Sequence, residues 1–163
     1  MSVVEEKGKW KAKWKIIKYK SEEDYKAGRI AEVLEFDGNL LLNEGINLIW
    51  TLICGGTGTA FNSTNSYIGV GDSTTAASAT DTGLLGTNKL YRAMDSGYPI
   101  YGSNQQATWR ATFGSADANF AWNEITVANG NSDTAVNLNR KVQSMGTKIS
   151  GAVWTAQLTV TLS

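Results

Sequence analysis

The sequence predicts a mainly β protein: an antiparallel β-sandwich or an open, jelly-roll-like barrel with one short helix and a charged N-terminal strand or arm. Two observations predict this class. The chain is rich in Thr, Ser and Asn and has 17 glycines among its 163 residues, and such β-branched and turn-forming residues disfavour a helix bundle. Six Trp, six Tyr and four Phe supply the apolar area for a core. A chain of this length fits one domain.

The first predicted element is a strand of alternating residues over positions 7–20. A period of two places its lysines on one face and Trp10 and Trp14 on the opposite face, against the core. The alternation slips at Ile16 and Ile17, where we predict a β-bulge. The lysines that share one face are Lys7, Lys9, Lys11, Lys13 and Lys15.

The pattern in residues 21–28 predicts a turn or a single helical turn, because a capping serine precedes three acidic residues. Residues 30–36 predict a second strand, and the Asp37–Gly38 pair predicts a hairpin turn into residues 39–42.

A short helix is predicted over residues 44–54, with Asn43 or a neighbour as its cap and Gly55 and Gly56 at its end. One apolar face repeats along it at helical spacing. That face consists of Ile46, Ile49, Trp50 and Ile53.

The rest of the chain alternates strands with turns, which is typical of a sandwich or barrel. The long loop over residues 71–86 consists mostly of small residues, and loops of that length are usually functional or become ordered on assembly. We predict that residues 1–42 form a charged arm and β-hairpin, which packs on or extends a body of residues 43–163. Both parts belong to a single domain. The predicted strands of the body cover residues 66–70, 90–94, 107–113, 120–128, 136–142 and 151–162. In two of these strands, alternation predicts a half-buried strand with one inward face. These faces consist of Ala107, Trp109, Ala111 and Phe113 in the first strand, and of Ala152, Trp154, Ala156, Leu158, Val160 and Leu162 in the second.

Composition argues against catalysis and against cofactor or metal binding. The chain has no histidine and a single cysteine, so the commonest general base, the usual zinc ligand and any intrachain disulfide are missing. Cys54 lies in an apolar run, where we expect a small buried hydrophobe. Residues 69–74 resemble a phosphate loop but lack its lysine, and we interpret them as a tight strand exit. We predict neither an export signal nor a membrane span.

Acidic residues offer two further candidate sites, each with a plainer structural explanation. Glu124 lies in an apolar strand and is either an acid of raised pKa or a satisfied structural carboxylate; we favour the second. Four loop aspartates offer oxygen ligands for calcium, although we favour turn residues that bond their own backbone. They are Asp72, Asp81, Asp117 and Asp133.

The lysine face is the strongest functional signal. Formal net charge is zero, yet residues 1–35 carry sixteen of the thirty charged side chains. The five lysines either protect an edge strand from unwanted pairing or dock onto an acidic partner. Nearby acidic residues weaken the case for nucleic acid as that partner.

Five short motifs follow one another from residue 43 onward. They are NEGINLIWTLICGG at 43–56, YIGVGDSTTAASATDTGL at 67–84, YRAMDSGYPIYG at 91–102, WRATFGSADANFAWNEITVANG at 109–130 and LNRKV at 138–142. With these motifs the chain resembles the compact β-modules of tailed-bacteriophage virion proteins, in tail fibres, baseplates and small capsid decoration proteins. The resemblance covers about three-quarters of the chain and implies assembly without turnover; no catalytic residue is carried over.

The sequence and this resemblance together predict a non-enzymatic capsid decoration protein, located in the virion. It would bind the major capsid protein or another virion protein and copies of itself, with a trimer favoured, through the lysines at 9, 11, 13 and 15 and the aromatic residues Trp10, Trp14, Tyr98 and Tyr101. One alternative is a tail, baseplate or fibre component. Another is a carbohydrate-binding module with Trp109, Trp122, Tyr98 and Tyr101 as stacking platforms.

Overall fold

The predicted fold class is confirmed by a computed structural model, which describes residues 8–163. Lys7, the first lysine of the predicted face, lies outside these residues. The described chain contains ten strands in two antiparallel sheets of five, and two short helices. In chain order the elements are β1 (Trp10–Tyr19), α1 (Glu22–Ala27), β2 (Glu32–Asp37), β3 (Leu40–Leu41), α2 (Asn43–Ile53), β4 (Tyr67–Gly71), β5 (Lys89–Ala93), β6 (Ile100–Ser103), β7 (Gln106–Phe113), β8 (Ala121–Ala128), β9 (Asn139–Thr147) and β10 (Val153–Leu162).

Sheet A has the strand order β2-β1-β10-β7-β6, and sheet B has the order β3-β9-β8-β4-β5. The inner faces of both sheets supply the core, as alternation predicts for β7 and β10. At its centre Trp122 of sheet B contacts Phe113 and Trp154 of sheet A, with ring centroids 4.7 Å and 4.9 Å apart in edge-to-face geometry. Such pairs add to the stabilisation from area burial alone.

From Trp10 onward, the charged N-terminal segment belongs to the sandwich. β1 pairs with β10 over its full length, from Trp10 to Tyr19, and with β2 from Lys13 to Lys18. β1 is therefore an interior strand along most of its length, so edge protection does not explain Lys13 and Lys15. The bulge predicted at Ile16 and Ile17 is also wrong, because the register with β10 runs through both residues without a shift.

The predicted hairpin after Asp37 is wrong in a way that shapes the molecule. β2 pairs with β1, whereas β3 pairs with β9 of sheet B. Gly38, at a left-handed φ of 82°, therefore lies where the chain crosses from one sheet to the other. A turn motif specifies the local bend but not the sheet that the next strand joins.

Both helices begin and end close to the predicted positions. Ser21 caps α1 by accepting the amide of Asp24 at 3.0 Å, so the segment left open as a turn or helical turn is a helix of six residues. The cap of α2 is Leu42, the residue before Asn43, and its side chain makes no capping hydrogen bond. Cys54, expected to be buried, is exposed at the end of α2.

Gly45 sets how closely α2 approaches the sandwich. A Cβ atom at this position would lie 2.5 Å from the carbonyl oxygen of Leu138, a backbone group that has little freedom to move. We expect Gly45→Ala to destabilise the fold by about 1–3 kcal/mol, measured by urea unfolding. Gly8→Ala is the matched control, because no atom of residues 8–163 lies within 4 Å of that Cβ. Equal stability of the two variants would contradict this account.

Candidate interaction surfaces

The lysines of β1 form a basic patch on the outer face of sheet A. The side chains of Lys11, Lys13 and Lys15 lie on the face of β1 that points away from the core, as alternation predicted. Glu35 of β2 lies beside them, with its carboxylate 3.1 Å from Lys13 Nζ and 4.0 Å from Lys15 Nζ. Asp37, opposite Lys13 in the register of β1 and β2, is a second carboxylate on this face. Two carboxylates therefore oppose the lysines of this segment, which outnumber them, so the local charge stays positive. Lys9 lies just before β1 and exchanges backbone hydrogen bonds with Ser163.

The fold adds Lys141 to this region, a residue that sequence analysis missed. Lys141 Nζ lies 3.7 Å from the position of a Cβ on Gly38, where the chain crosses between the sheets. We call Lys9, Lys11, Lys13, Lys15 and Lys141 the basic patch. A groove of about 630 Å³ runs beside it, and its charged lining residues are Lys11, Lys13 and Asp37.

The other end of this outer face is covered by α1. Tyr19, on the same face as the lysines, packs edge-to-face on Tyr25 of α1 with ring centroids 5.1 Å apart. Arg110 of β7 pairs with Asp95 at 3.1 Å and lies over the Tyr98 ring. Burial opposes the charge of Arg110, but the hydrogen bond with Tyr98 and the attraction of Asp95 outweigh it and raise the pKa of Arg110. The uncovered part of the face is therefore the basic end.

The two tryptophans of β1 differ in accessibility. Trp14 is fully buried in the core, so its predicted role in partner binding is wrong, although its predicted core position is confirmed. Trp10 is half-buried and lines a slot of about 400 Å³ at one end of sheet A. We define the slot by its apolar lining, which consists of Trp10, Ala107, Trp109, Val160 and Leu162; its rim consists of Gly102, Ser103, Gln105 and Gln106.

The aromatic platform proposed for carbohydrate is not assembled. Trp122 is fully buried and Trp109 is buried, with its Nε1 donating to the Phe61 carbonyl at 3.2 Å. Tyr101 is 72 % exposed and pairs with Ala107, an inward-facing position, whereas Tyr98 contacts Arg110 on the outer face. These two tyrosines therefore lie on opposite faces of sheet A and do not form a stacking pair.

A buried ion pair holds the long loop of residues 71–86 against sheet B. Arg140 Nε donates to Glu124 Oε2 at 2.8 Å, and both side chains are fully buried. Arg140 also donates to Asp81 Oδ2 at 3.0 Å and to the Thr75 carbonyl at 2.9 Å. Glu124 in turn accepts the amide of Gly86 at 2.6 Å. We call this cluster the loop clamp, and it gives Glu124 the structural role that we favoured.

Two glycines near residue 70 leave room for neighbouring side chains. A Cβ on Gly71 would clash with Glu124 Oε1 of the loop clamp, and a Cβ on Gly69 would lie 2.5 Å from the ring of Tyr91. Because β4 ends at Gly71, the structure agrees with a strand exit here. The glycines leave room for side chains that cross the strand.

The four loop aspartates each have protein donors. Asp133 accepts Tyr91 Oη at 2.5 Å and the ammonium of Lys89. Burial alone would raise the pKa of Asp133, but these hydrogen bonds outweigh it and lower that pKa. Asp81 belongs to the loop clamp, Asp72 accepts from Asn88, and Asp117 accepts the Gly114 amide. No group of three or more metal-ligating side chains is found among residues 8–163.

The end of α2 carries an apolar knob. Of the predicted apolar face, Ile46 and Ile49 are half-buried, whereas Trp50 is 60 % exposed and Ile53 is 69 % exposed. We define the knob as Trp50 and Ile53. Trp50 and Ile53 are three positions apart in the helix and therefore share one side of it. An exposed aromatic and aliphatic pair of this kind is typical of an interface.

Comparisons with known proteins do not assign this chain to a family. A scan against protein-family models, a search of curated proteins and a search of solved structures each returned no match. Neither helix of the described chain has the length and apolar character needed to cross a bilayer.

Proposed function

We propose that this chain is a capsid decoration protein of a tailed phage, which binds the outer shell and stabilises it without catalysing a reaction. Its partners are the major capsid protein or another virion protein, and copies of itself. The observation that carries the proposal is the basic patch on the uncovered end of sheet A, because a flat sheet face with several cations fits an acidic protein surface. The resemblance of residues 43–163 to virion β-modules supports the same class.

The distribution of charge supports a repeated structural subunit. The chain carries zero formal net charge, so many copies can lie side by side without strong mutual repulsion. The lysines concentrate the positive charge at one end of sheet A, which favours one orientation on an acidic surface. Symmetry repeats each contact, so shallow contacts add up across a shell.

We expect the quadruple change of Lys9, Lys11, Lys13 and Lys15 to Gln to weaken association with the shell by about tenfold or more. The loss should grow as ionic strength is lowered, since the wild-type attraction is electrostatic. The measurement is the occupancy of purified capsids of the encoding phage, by quantitative gel densitometry after sedimentation.

Two double variants supply a matched control for that measurement. Lys11 and Lys13 lie in the basic patch, whereas Lys20 and Lys26 lie near α1, and each pair loses two positive charges when changed to Gln. We expect only the first pair to reduce occupancy. Unchanged occupancy in the quadruple variant would contradict a role for the patch.

The position of the chain in a reconstruction of intact particles tests the wider proposal. Density on the outer surface of the head supports decoration. Density on the tail, baseplate or fibre replaces decoration with the alternative that the resemblance also implies. A chain missing from purified particles overturns the proposal.

A further inference from the structure

The knob and the slot are two apolar surfaces that the basic patch does not explain. The knob projects from α2, which packs against Leu138 beside sheet B. The slot is a concave surface at one end of sheet A. The exposed side chain of Leu162 lines it, and the exposed residue Tyr101 pairs in register with Ala107 of the lining. The two surfaces share no residue and belong to different parts of the sandwich.

We propose that the knob of one copy inserts into the slot of a second copy, so that Trp50 and Ile53 pack against Trp10, Trp109 and Leu162 of their neighbour. The contact joins two different surfaces and is therefore heterologous. Repeated from copy to copy, such a contact closes into a ring or extends as a filament. A closed ring of three copies agrees with the trimer that the sequence predicts. The inference deepens one part of the proposed function, the self-association of the chain. It needs no virion, so the test of this contact is separate from the test of shell binding.

The distribution of charge selects a second copy as the occupant. Residues 45–71, which contain the knob and the loop that follows it, carry no charged side chain. The lining and rim of the slot carry none either. An uncharged convex surface enters an uncharged cavity without the cost of removing an ion from water. An acidic partner or nucleic acid gains nothing at the slot and is attracted to the basic patch instead.

The size and rigidity of the knob also fit this role. The slot, at about 400 Å³, is large enough to hold an indole ring and a branched aliphatic side chain. The helix that presents them is fixed at its start, where Glu44 accepts the amide of Asn137 at 2.7 Å and Gly45 packs against Leu138. A tryptophan on a rigid element, facing a concave apolar site, is the usual form of an energetic hot spot.

The rim of the slot supplies the polar border that such a contact needs. Ser103, Gln105 and Gln106 line the slot together with the apolar residues and offer hydrogen-bonding groups there. β6, which carries part of the rim, is an edge strand with a register shift between Tyr101 and Ser103. The shift interrupts the edge and disfavours simple strand addition there. Insertion of side chains into the slot is therefore the favoured contact at this end of sheet A.

The test is a complementation experiment with the full chain, measured by size-exclusion chromatography with light scattering. We expect the wild type to form a closed oligomer, and Trp50→Glu and Leu162→Glu each to give a folded monomer. We expect Trp50→Ala to raise the dissociation constant at least about tenfold. When the two Glu variants are mixed, each retains the surface that the other has lost, so a one-to-one dimer should form.

Ile149→Glu is the matched control, because Ile149 is a similarly exposed apolar residue outside both surfaces. We expect this variant to keep the wild-type oligomer, and circular dichroism checks that every variant is folded. A wild type that is monomeric at all concentrations overturns the inference. So does an oligomer that survives either Glu variant, or a mixture that stays monomeric. Loss of shell binding in the lysine variants with an intact oligomer leaves the inference standing, because different residues are involved.

Discussion

Replacing Arg140 by methionine should destabilise the fold by about 3–5 kcal/mol and release the loop of residues 71–86. The change leaves Glu124 as a fully buried carboxylate without its cation. It also removes the donors to Asp81 and to the Thr75 carbonyl, 3.0 Å and 2.9 Å away. Equilibrium unfolding in urea measures the loss of stability. Limited proteolysis within residues 71–86 reports the release of the loop.

Two further variants separate the charge from the packing of the loop clamp. Adding Glu124→Gln to Arg140→Met removes the orphaned charge, so we expect part of the lost stability to return. Arg140→Lys retains the charge but not the branched geometry that reaches three acceptors, and should also expose the loop to protease. Wild-type stability and wild-type protease resistance in Arg140→Met would show that the clamp does not hold the loop.

Replacing Trp14 by alanine should cost about 3–5 kcal/mol, because its side chain is fully buried between the sheets. The measurement is the free energy of unfolding in guanidinium chloride. An unchanged value would mean that β1 does not contribute to the core. This result would also contradict the integration of the N-terminal segment into sheet A.

Trp14→Phe and Trp122→Phe form a matched pair for this experiment. Both tryptophans are fully buried, but Trp122 Nε1 donates to the Ala118 carbonyl at 2.9 Å, whereas Trp14 Nε1 has no acceptor within residues 8–163. Phenylalanine leaves that Ala118 carbonyl without the indole donor. We therefore expect Trp122→Phe to cost about 1 kcal/mol more than Trp14→Phe. A reversed order would contradict the role of this hydrogen bond.

Alternation was the most informative pattern in the sequence. It predicted the inward faces of β7 and β10 and the outward lysines of β1, because successive side chains of a strand point to opposite sides whatever the neighbouring strands are. It failed at the ends of strands: Leu162 shares the parity of the core residues of β10 but is exposed. A residue at the end of a strand has fewer neighbours to cover it, and periodicity does not record where the opposite sheet stops.

The interaction surfaces were less predictable than the strands. Lys141 joins the basic patch and Arg140 pairs with Glu124 only because β9 lies beside β8 and near the crossing at Gly38. An arginine and a glutamate within apolar strands were a usable signal, since buried charges need partners. The burial of Trp109 and Trp122 was not predictable from the sequence, because a tryptophan in a strand serves a core or a surface platform equally well. Their position between the two sheets placed both side chains in the core.

By itself, the sequence determined the local structure: the β class, the alternating faces, the cap at Ser21 and the end of α2. Each of these depends on residues within a few positions of one another. Only the tertiary structure decided that β1 is an interior strand, that Asp37 and Gly38 lead into the opposite sheet, and that Trp50 and Ile53 stay exposed. These features depend on contacts between segments far apart in the chain, and the free energy of such contacts comes from the packing of both partners.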